Sequence, residues 1–274
     1  MPLLRSLVVN TRRTGSLRIR QFVPAGVALF LVAGRLASQD PFEIVVYPAA
    51  TAARGEWELE THLNYTARGT TAFNGTVAPS QHQTHLTFEL THGIGADWEA
   101  SAYLLTAYRP GVGAEYAGWR LRSRLHAPAR WNLPLDLGFS AELEAPRPAY
   151  GGASPTVELT PILEKRFGAL RLGVNANFER DFGAGEAGGT EEGWEFEPSA
   201  IVAYRVSTRT IAKLEYHGAW GEAATPLAPS TRVHQLFPGV DLRLGEAWLG
   251  LSVGVGTTPA GNRLVFASRL EFEF

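Results

Sequence analysis

From Trp57 to Phe274 the chain repeats one pattern: segments of about ten residues in which apolar and polar side chains alternate, separated by connections that are long and short in turn. In the first segment Trp57, Leu59, Leu63 and Tyr65 share one face, and Glu58, Glu60, His62 and Asn64 share the other. A period of two is the signature of a strand. Further strands are expected at about 82–91, 97–107, 116–126, 133–144, 156–165 and 168–180, then at 193–205, 209–220, 232–244, 247–256 and 263–274. The total is about twelve, an even number, as bacterial single-chain barrels require. The connections run 66–81 long, 92–96 short, 108–115 long, 127–132 short, 145–155 long and 166–167 short. They continue 181–192 long, 206–208 short, 221–231 long, 245–246 short and 257–262 intermediate. A soluble sandwich has no reason to alternate its loops in this way. An outer-membrane barrel does, with short periplasmic turns and longer external loops, and this phase puts both barrel ends in the periplasm. The expected fold is all-β: an up-and-down antiparallel transmembrane β-barrel of about twelve strands.

The closing strand adds to this. Leu264, Phe266, Ser268, Leu270, Phe272 and Phe274 fall on one face, and Arg263, Arg269, Glu271 and Glu273 on the other. Alternation alone also suits a half-buried strand of a soluble sheet. An aromatic face that runs to Phe274 resembles the closing strand of bacterial outer-membrane barrels, in which the last Phe is an assembly signal. That resemblance implies the barrel-assembly machinery as a partner through the C-terminal strand. Trp57, Trp98, Trp119, Trp131, Trp194 and Trp220 fall at strand ends with outward parity, where aromatic girdles meet the membrane interfaces. Trp248 has inward parity. Pro161, Pro198 and Pro238 fall inside strands, and a closed barrel has no edge to hide a missing donor, so local bulges are expected there.

Ahead of the barrel, Arg5, Arg12, Arg13, Arg18 and Arg20 precede an apolar run from Val23 to Ala33 that is too short to span a bilayer. Residues 1–37 read as a signal peptide cleaved between Ala33 and Ser38. The Arg12–Arg13 pair fits a twin-arginine signal less well, because a barrel crosses the inner membrane unfolded. Residues 38–54, with the apolar run Phe42–Tyr47, are expected either to plug the barrel mouth or to hang in the periplasm as a partner-binding strand. Residues 55–274 form the barrel. Loss of 1–37 leaves 19 Lys and Arg against 27 Asp and Glu, an acidic balance that argues against nucleic acid as a partner. The absence of cysteine excludes disulfides and thiolate metal sites. A near-neutral mean hydropathy excludes a bundle of membrane helices but suits a barrel, half of whose strand residues face a polar lumen. The location implied is the outer membrane of a Gram-negative bacterium, with its lipids as partners.

Inward parity picks out the candidate lining. Strand four points Arg120, Arg122, Arg124 and His126 inward; Asp97 and Glu99 neighbour it on one side, and Asp136, Glu142 and Glu144 on the other. Up-and-down order brings Asp97 and Glu99 to Arg124 and His126, and Glu142 and Glu144 to Arg120 and Arg122. An arginine ladder facing carboxylates can select permeants by a transverse field; equally, the pairs can simply fill a narrow barrel. Lys213, Glu215 and His217 with Asp241 and Arg243 form a second set. Glu58, Glu60, Glu271 and Glu273 form an acidic cluster where the barrel closes. His82, His85 and His92 do not converge on one ion, so neither a metal nor any other cofactor is expected. Ser140 and His126, inward on neighbouring strands, are the nearest approach to a catalytic dyad, and lining is the preferred reading.

Phe42–Tyr47, Gly55–Tyr65, Glu158–Ile162, the strand from Glu197-Pro198 through Tyr204, and the closing Phe274 together resemble the outer-membrane barrels grouped around the MetA-pathway phenol-degradation proteins. The resemblance implies a barrel for passive uptake, with aromatic or hydrophobic compounds as permeants. The expected function is therefore a porin-like channel for small solutes, without enzymatic activity. The alternative is a non-conducting structural barrel that binds a partner through loops 66–81 and 181–192, with an enzyme in the barrel wall as a third reading.

Overall fold

A computed structural model describes residues 40–73, 76–151, 154–182 and 193–274. The expected signal at 1–37 lies outside the described residues, as does most of the loop at 181–192. Among the described residues twelve antiparallel strands close into a barrel: β1 (Trp57–Arg68), β2 (Thr84–Gly95), β3 (Trp98–Arg109), β4 (Gly113–His126), β5 (Asp136–Pro146), β6 (Thr156–Phe167), β7 (Leu170–Asp181), β8 (Glu195–Ser207), β9 (Thr210–Ala219), β10 (Val233–Leu244), β11 (Ala247–Gly256) and β12 (Leu264–Glu273). Each strand pairs with its sequence neighbours, and β12 closes on β1 with Glu60 opposite Glu271 and Leu63 opposite Ser268. The backbones of Trp57 and Phe274 exchange two hydrogen bonds of 2.8 and 3.0 Å, which extends that seam.

Burial follows the alternation. Leu63, Leu104, Leu121, Leu125, Val202 and Phe266 stand exposed on the outside, whereas His62, Glu89, Glu99, Arg122 and Glu215 are buried inside. In water such an exterior would be an aggregation surface; around a closed barrel with every backbone ladder satisfied it is a membrane-facing one.

Two connections break the expected alternation. β3 and β4 keep pairing out to Arg109 opposite Gly113, so the connection placed at 108–115 tightens to 110–112. The one placed at 127–132 lengthens to 127–135 and carries a short 3-10 turn, Ala129–Trp131. Trp131 therefore sits on that turn and not at a strand end. The bulges expected at the prolines are also absent. Pro161 stays opposite Phe139, Pro198 opposite Ala176 and Pro238 opposite Leu214, and the register is unbroken at each. In an antiparallel ladder each residue bonds to only one neighbour, so the missing donor costs one bond and leaves the frame intact. The register shifts lie instead at Thr66/Arg68, Gly93/Gly95, Leu105/Thr106 and Arg205/Ser207.

Residues 40–54 belong to no strand and lie within the barrel. Phe42 packs with Tyr103, Leu105, Ala107, Ala117 and Tyr150. Ile44 packs with Phe237, Val265 and Ala267, and Val46 with Ile201 and Ala203. Tyr47 and Ala49 meet Ile162. Gly93 is where this segment leaves toward β1: a Cβ there would collide with the backbone carbonyl of Ala53. Gly93→Ala is expected to lower unfolding stability by about 1–3 kcal/mol through that overlap, read as a shift of the urea midpoint for protein refolded in detergent.

Candidate functional site in the barrel lumen

An irregular backbone at membrane depth must find partners for its N–H and C=O groups. Wall side chains supply them here. Asn64 Nδ2 donates to the Pro41 carbonyl (2.9 Å). Asn175 accepts from Tyr47 N (2.7 Å) and donates to the Tyr47 carbonyl (3.2 Å), as a neighbouring strand would. Ala52 N donates to Glu99 Oε2 (2.6 Å) and Ala49 N to Glu164 Oε2 (3.4 Å). Glu164 is itself held by Arg166 and Arg171.

The ladder on β4 carries the charge pairing. Arg120 bonds Glu144 (2.5 Å) on β5 and also Asp40 (2.5 Å) and Glu43 (2.8 Å) of the internal segment. Glu142 lies 3.5 Å from the same guanidinium. Arg122 bonds Glu89 and reaches Glu43 (3.3 Å) and Glu99 (3.9 Å). Arg124 pairs with Glu99 (2.7 Å) and leans toward the Pro48 carbonyl (3.4 Å). His126 and Asp97 sit 3.5 Å apart at the turn end. The guanidinium of Arg122 also stands 4.6 Å over the Tyr47 ring and 5.2 Å from that of Tyr103. The ladder thus meets both strand neighbours, but Glu43, its deeply buried partner on Arg120 and Arg122 alike, comes from the internal segment.

Of the second set, Lys213 bridges Glu215 (3.1 Å) and Asp241 (2.9 Å), and His217 Nε2 is 3.2 Å from Glu215. Arg243 is exposed at the turn end, where its Nε bonds the Gly245 carbonyl (3.2 Å). In the closing cluster Glu58 faces Glu273 and Glu60 faces Glu271, and Arg269 bridges Glu60 (3.3 Å) and Glu271 (3.2 Å). Ser140 and His126 are not brought together. Ser140 is opposite Arg124 and its Oγ is 3.5 Å from Glu142, while His126 is opposite Gly138. His82, His85 and His92 are likewise separate: His85 packs edge-on against Phe42, and His92 stacks on Trp57.

Two groupings are not apparent from parity and strand order. Register aligns Glu142, Glu158, Glu179 and Glu195 directly opposite one another across β5 to β8, with Glu197 beside them opposite Asn177. Parity alone marks each as inward; only the register makes them a row. The second grouping is Glu43, His62 and Glu89, all buried, whose ligand-type atoms lie within 4.8 Å of one another. Near the loop end a short helix, α1 (Pro148–Gly151), lowers Tyr150 onto Phe42, and the phenol donates to Glu115 (2.8 Å). Burial, then that hydrogen bond to a carboxylate, pushes the Tyr150 phenol up to about 12, so it stays a donor at neutral pH.

A closed antiparallel barrel with an apolar exterior and a charged interior is a transmembrane barrel of the outer-membrane class. No family model and no curated protein matches the chain. Among solved structures, an outer membrane channel from Pseudomonas putida F1 superposes with a TM-score of 0.60 at 12% identity, covering 85% of this chain and 100% of that one. The KdgM porin, solved in complex with disordered oligogalacturonate, gives a TM-score of 0.54 at 7% identity, covering 79% of this chain and 99% of that one. At these identities the likeness is one of fold.

Proposed function

We propose that the chain is an outer-membrane channel for passive diffusion of small solutes, closed at rest by residues 40–54. The carrying observation is that the lumen is filled by a segment outside every strand ladder, so its removal leaves the barrel wall whole. A barrel packed shut by its own wall residues would offer no such path. The two solved barrels of similar fold, one a channel and the other a porin, support the reading. Aromatic or hydrophobic permeants, which the phenol-degradation resemblance implies, fit the niche of Tyr103, Leu105, Ala107, Ala117 and Tyr150, which holds the Phe42 ring. A permeant aromatic would compete with Phe42 for it.

In this reading the turn end faces the periplasm, Phe274 is the mark read by the barrel-assembly machinery, and the protein performs no catalysis and needs no cofactor. Arg120, Arg122, Arg124 and His126, with Glu99, Glu142 and Glu144, set the field in one part of the lumen, and Lys213, Glu215 and Asp241 tune another, with Arg243 at the turn end. The row Glu142, Glu158, Glu179 and Glu195 favours cations, as carboxylate rings do in cation channels. In the opened channel, replacing both Glu158 and Glu179 by Gln is expected to move the reversal potential in a salt gradient toward anions. An unchanged reversal potential would remove the row from the permeation path.

The alternative is a non-conducting barrel that acts through its external loops. The number of side-chain bonds holding residues 40–54 favours it. Planar-bilayer conductance with and without residues 40–53 separates the two.

A further inference from the structure

We infer that Glu43, His62 and Glu89 form a binding site for one divalent first-row transition ion, which would clip the internal segment to the barrel wall. The three residues come from three places: Glu43 from the segment, His62 from β1 and Glu89 from β2. Their relative exposures are 7%, 2% and 1%, so the site is closed to bulk water. Imidazole nitrogen and carboxylate oxygen are both ordinary ligands of zinc and related ions.

Two observations point to an ion and not merely to a group of charges. First, His62 Nε2 and Glu89 Oε2 have no hydrogen-bond partner among the described residues, although both are buried. They face each other at 3.7 Å, and Glu60 Oε2 lies 3.6 Å from the same nitrogen. Those separations are too long for a hydrogen bond. The His62–Glu89 separation is close to the spacing of about 3.4 Å between two ligand atoms sharing a tetrahedral ion at ordinary zinc–ligand distances. Second, the ion-pair network around the site is unbalanced. Through Arg120, Arg122, Arg124, Arg269 and His62 it joins eight carboxylates to four guanidiniums. Four of the eight, Glu43, Glu89, Glu99 and Glu142, are buried against three buried guanidiniums, those of Arg120, Arg122 and Arg124, and buried carboxylates in excess require protons or a further cation.

The surroundings suit a ligating role. Glu89 Oε1 accepts from Arg122 and from Thr91 Oγ1 (2.9 Å), which fixes the carboxylate so that Oε2 points at His62. Arg122 also reaches Glu43 Oε1 (3.3 Å), and Tyr47 donates to Glu43 Oε2 (2.8 Å). Outer-shell donors of this kind orient carboxylate ligands. Because Glu43 alone of the three lies outside the barrel wall, an ion here would hold the internal segment in place, and its removal would weaken that hold.

The test uses the full chain, refolded in detergent, stripped with chelator and titrated with Zn²⁺ by calorimetry and with Co²⁺ by visible absorption. About one Zn²⁺ per chain is expected, with a low-coordinate Co²⁺ band, and with Zn²⁺ raising the melting temperature. His62→Gln and Glu43→Gln are each expected to weaken Zn²⁺ binding by at least an order of magnitude and to abolish the Co²⁺ band, whereas His126→Gln leaves both unchanged. Glu43→Gln lies outside the barrel wall, so it keeps the test decisive should His62→Gln fail to fold. Absence of stoichiometric Zn²⁺ binding, or binding by Glu43→Gln as tight as wild type, would overturn the assignment. In that case the surplus charge is balanced by a protonated His62 between Glu60 and Glu89. None of these readouts depends on conductance, so the outcome is independent of the channel reading.

Discussion

Deletion of residues 40–53 is expected to turn a closed or poorly conducting barrel into one with stable current steps several-fold larger than those of the wild type in a planar bilayer. The segment occupies the lumen from the Phe42 niche to the Gly93 exit. It fills space that the wall side chains leave between them, and none of its residues belongs to a strand. The wall ladders do not depend on it, so the deleted form should still fold, which heat-modifiable migration on a gel would verify. The same deletion strips Asp40 and Glu43 from Arg120 and Arg122, and frees Asn64, Asn175 and Glu99 from the backbone groups they bind. Stability should therefore fall as conductance rises, because buried polar groups lose their partners, although water entering the lumen replaces part of that loss. A folded deletion form that stays electrically silent would exclude the channel and leave the loop-binding barrel as the reading.

The second large effect is expected of Arg122→Ala. This guanidinium is 3% exposed, bonds Glu89, reaches Glu43 and Glu99, and lies over the ring of Tyr47. Removing it leaves buried carboxylates without their partner, and breaking a buried pair from one side typically costs about 3–5 kcal/mol. The loss should appear as a lower urea midpoint, with Arg205→Ala, exposed near the turn end, changing little. Arg122→Lys should recover only part of the stability, since an ammonium cannot bond two carboxylates in one plane as the guanidinium fork does. In the opened channel the alanine variant should also shift ion preference toward cations, because the lumen loses a positive charge. A stability change as small as that of Arg205→Ala would mean that water and the remaining arginines screen those carboxylates, and that the ladder does not anchor the segment.

Much of the ladder is legible in the sequence itself. Parity places Arg120, Arg122 and Arg124 inside, and up-and-down order pairs Arg124 with Glu99 and Arg120 with Glu144. Those pairs follow from adjacency in sequence, which a meander carries directly into adjacency in space. The prolines mislead for a local reason. Expecting a bulge at each of them treats a strand residue as bonded on both sides, whereas the antiparallel pattern asks for one donor toward one neighbour. The connections at 108–115 and 127–132 differ from expectation because strand ends are set by how far pairing remains favourable, and turn residues do not fix that distance.

The sequence by itself determined the barrel: strand number, direction, inside and outside, and which charges line the lumen. All of these depend on a period of two and on the order of segments, which are one-dimensional properties. Only the tertiary structure decided what the lumen contains. Residues 40–54 have no period to read, and their partners are spread over β1, β2, β3, β4, β6, β7, β8, β10 and β12. Glu43 reaches Arg122 and His62 because the internal segment lies within the barrel, and Glu142 joins Glu158, Glu179 and Glu195 because register aligns residues that are far apart along the chain. The alternation forbids a register offset of one residue, which would turn a strand's inward side chains toward lipid, but it leaves an offset of two open, and such an offset would take Glu142 out of line with Glu158.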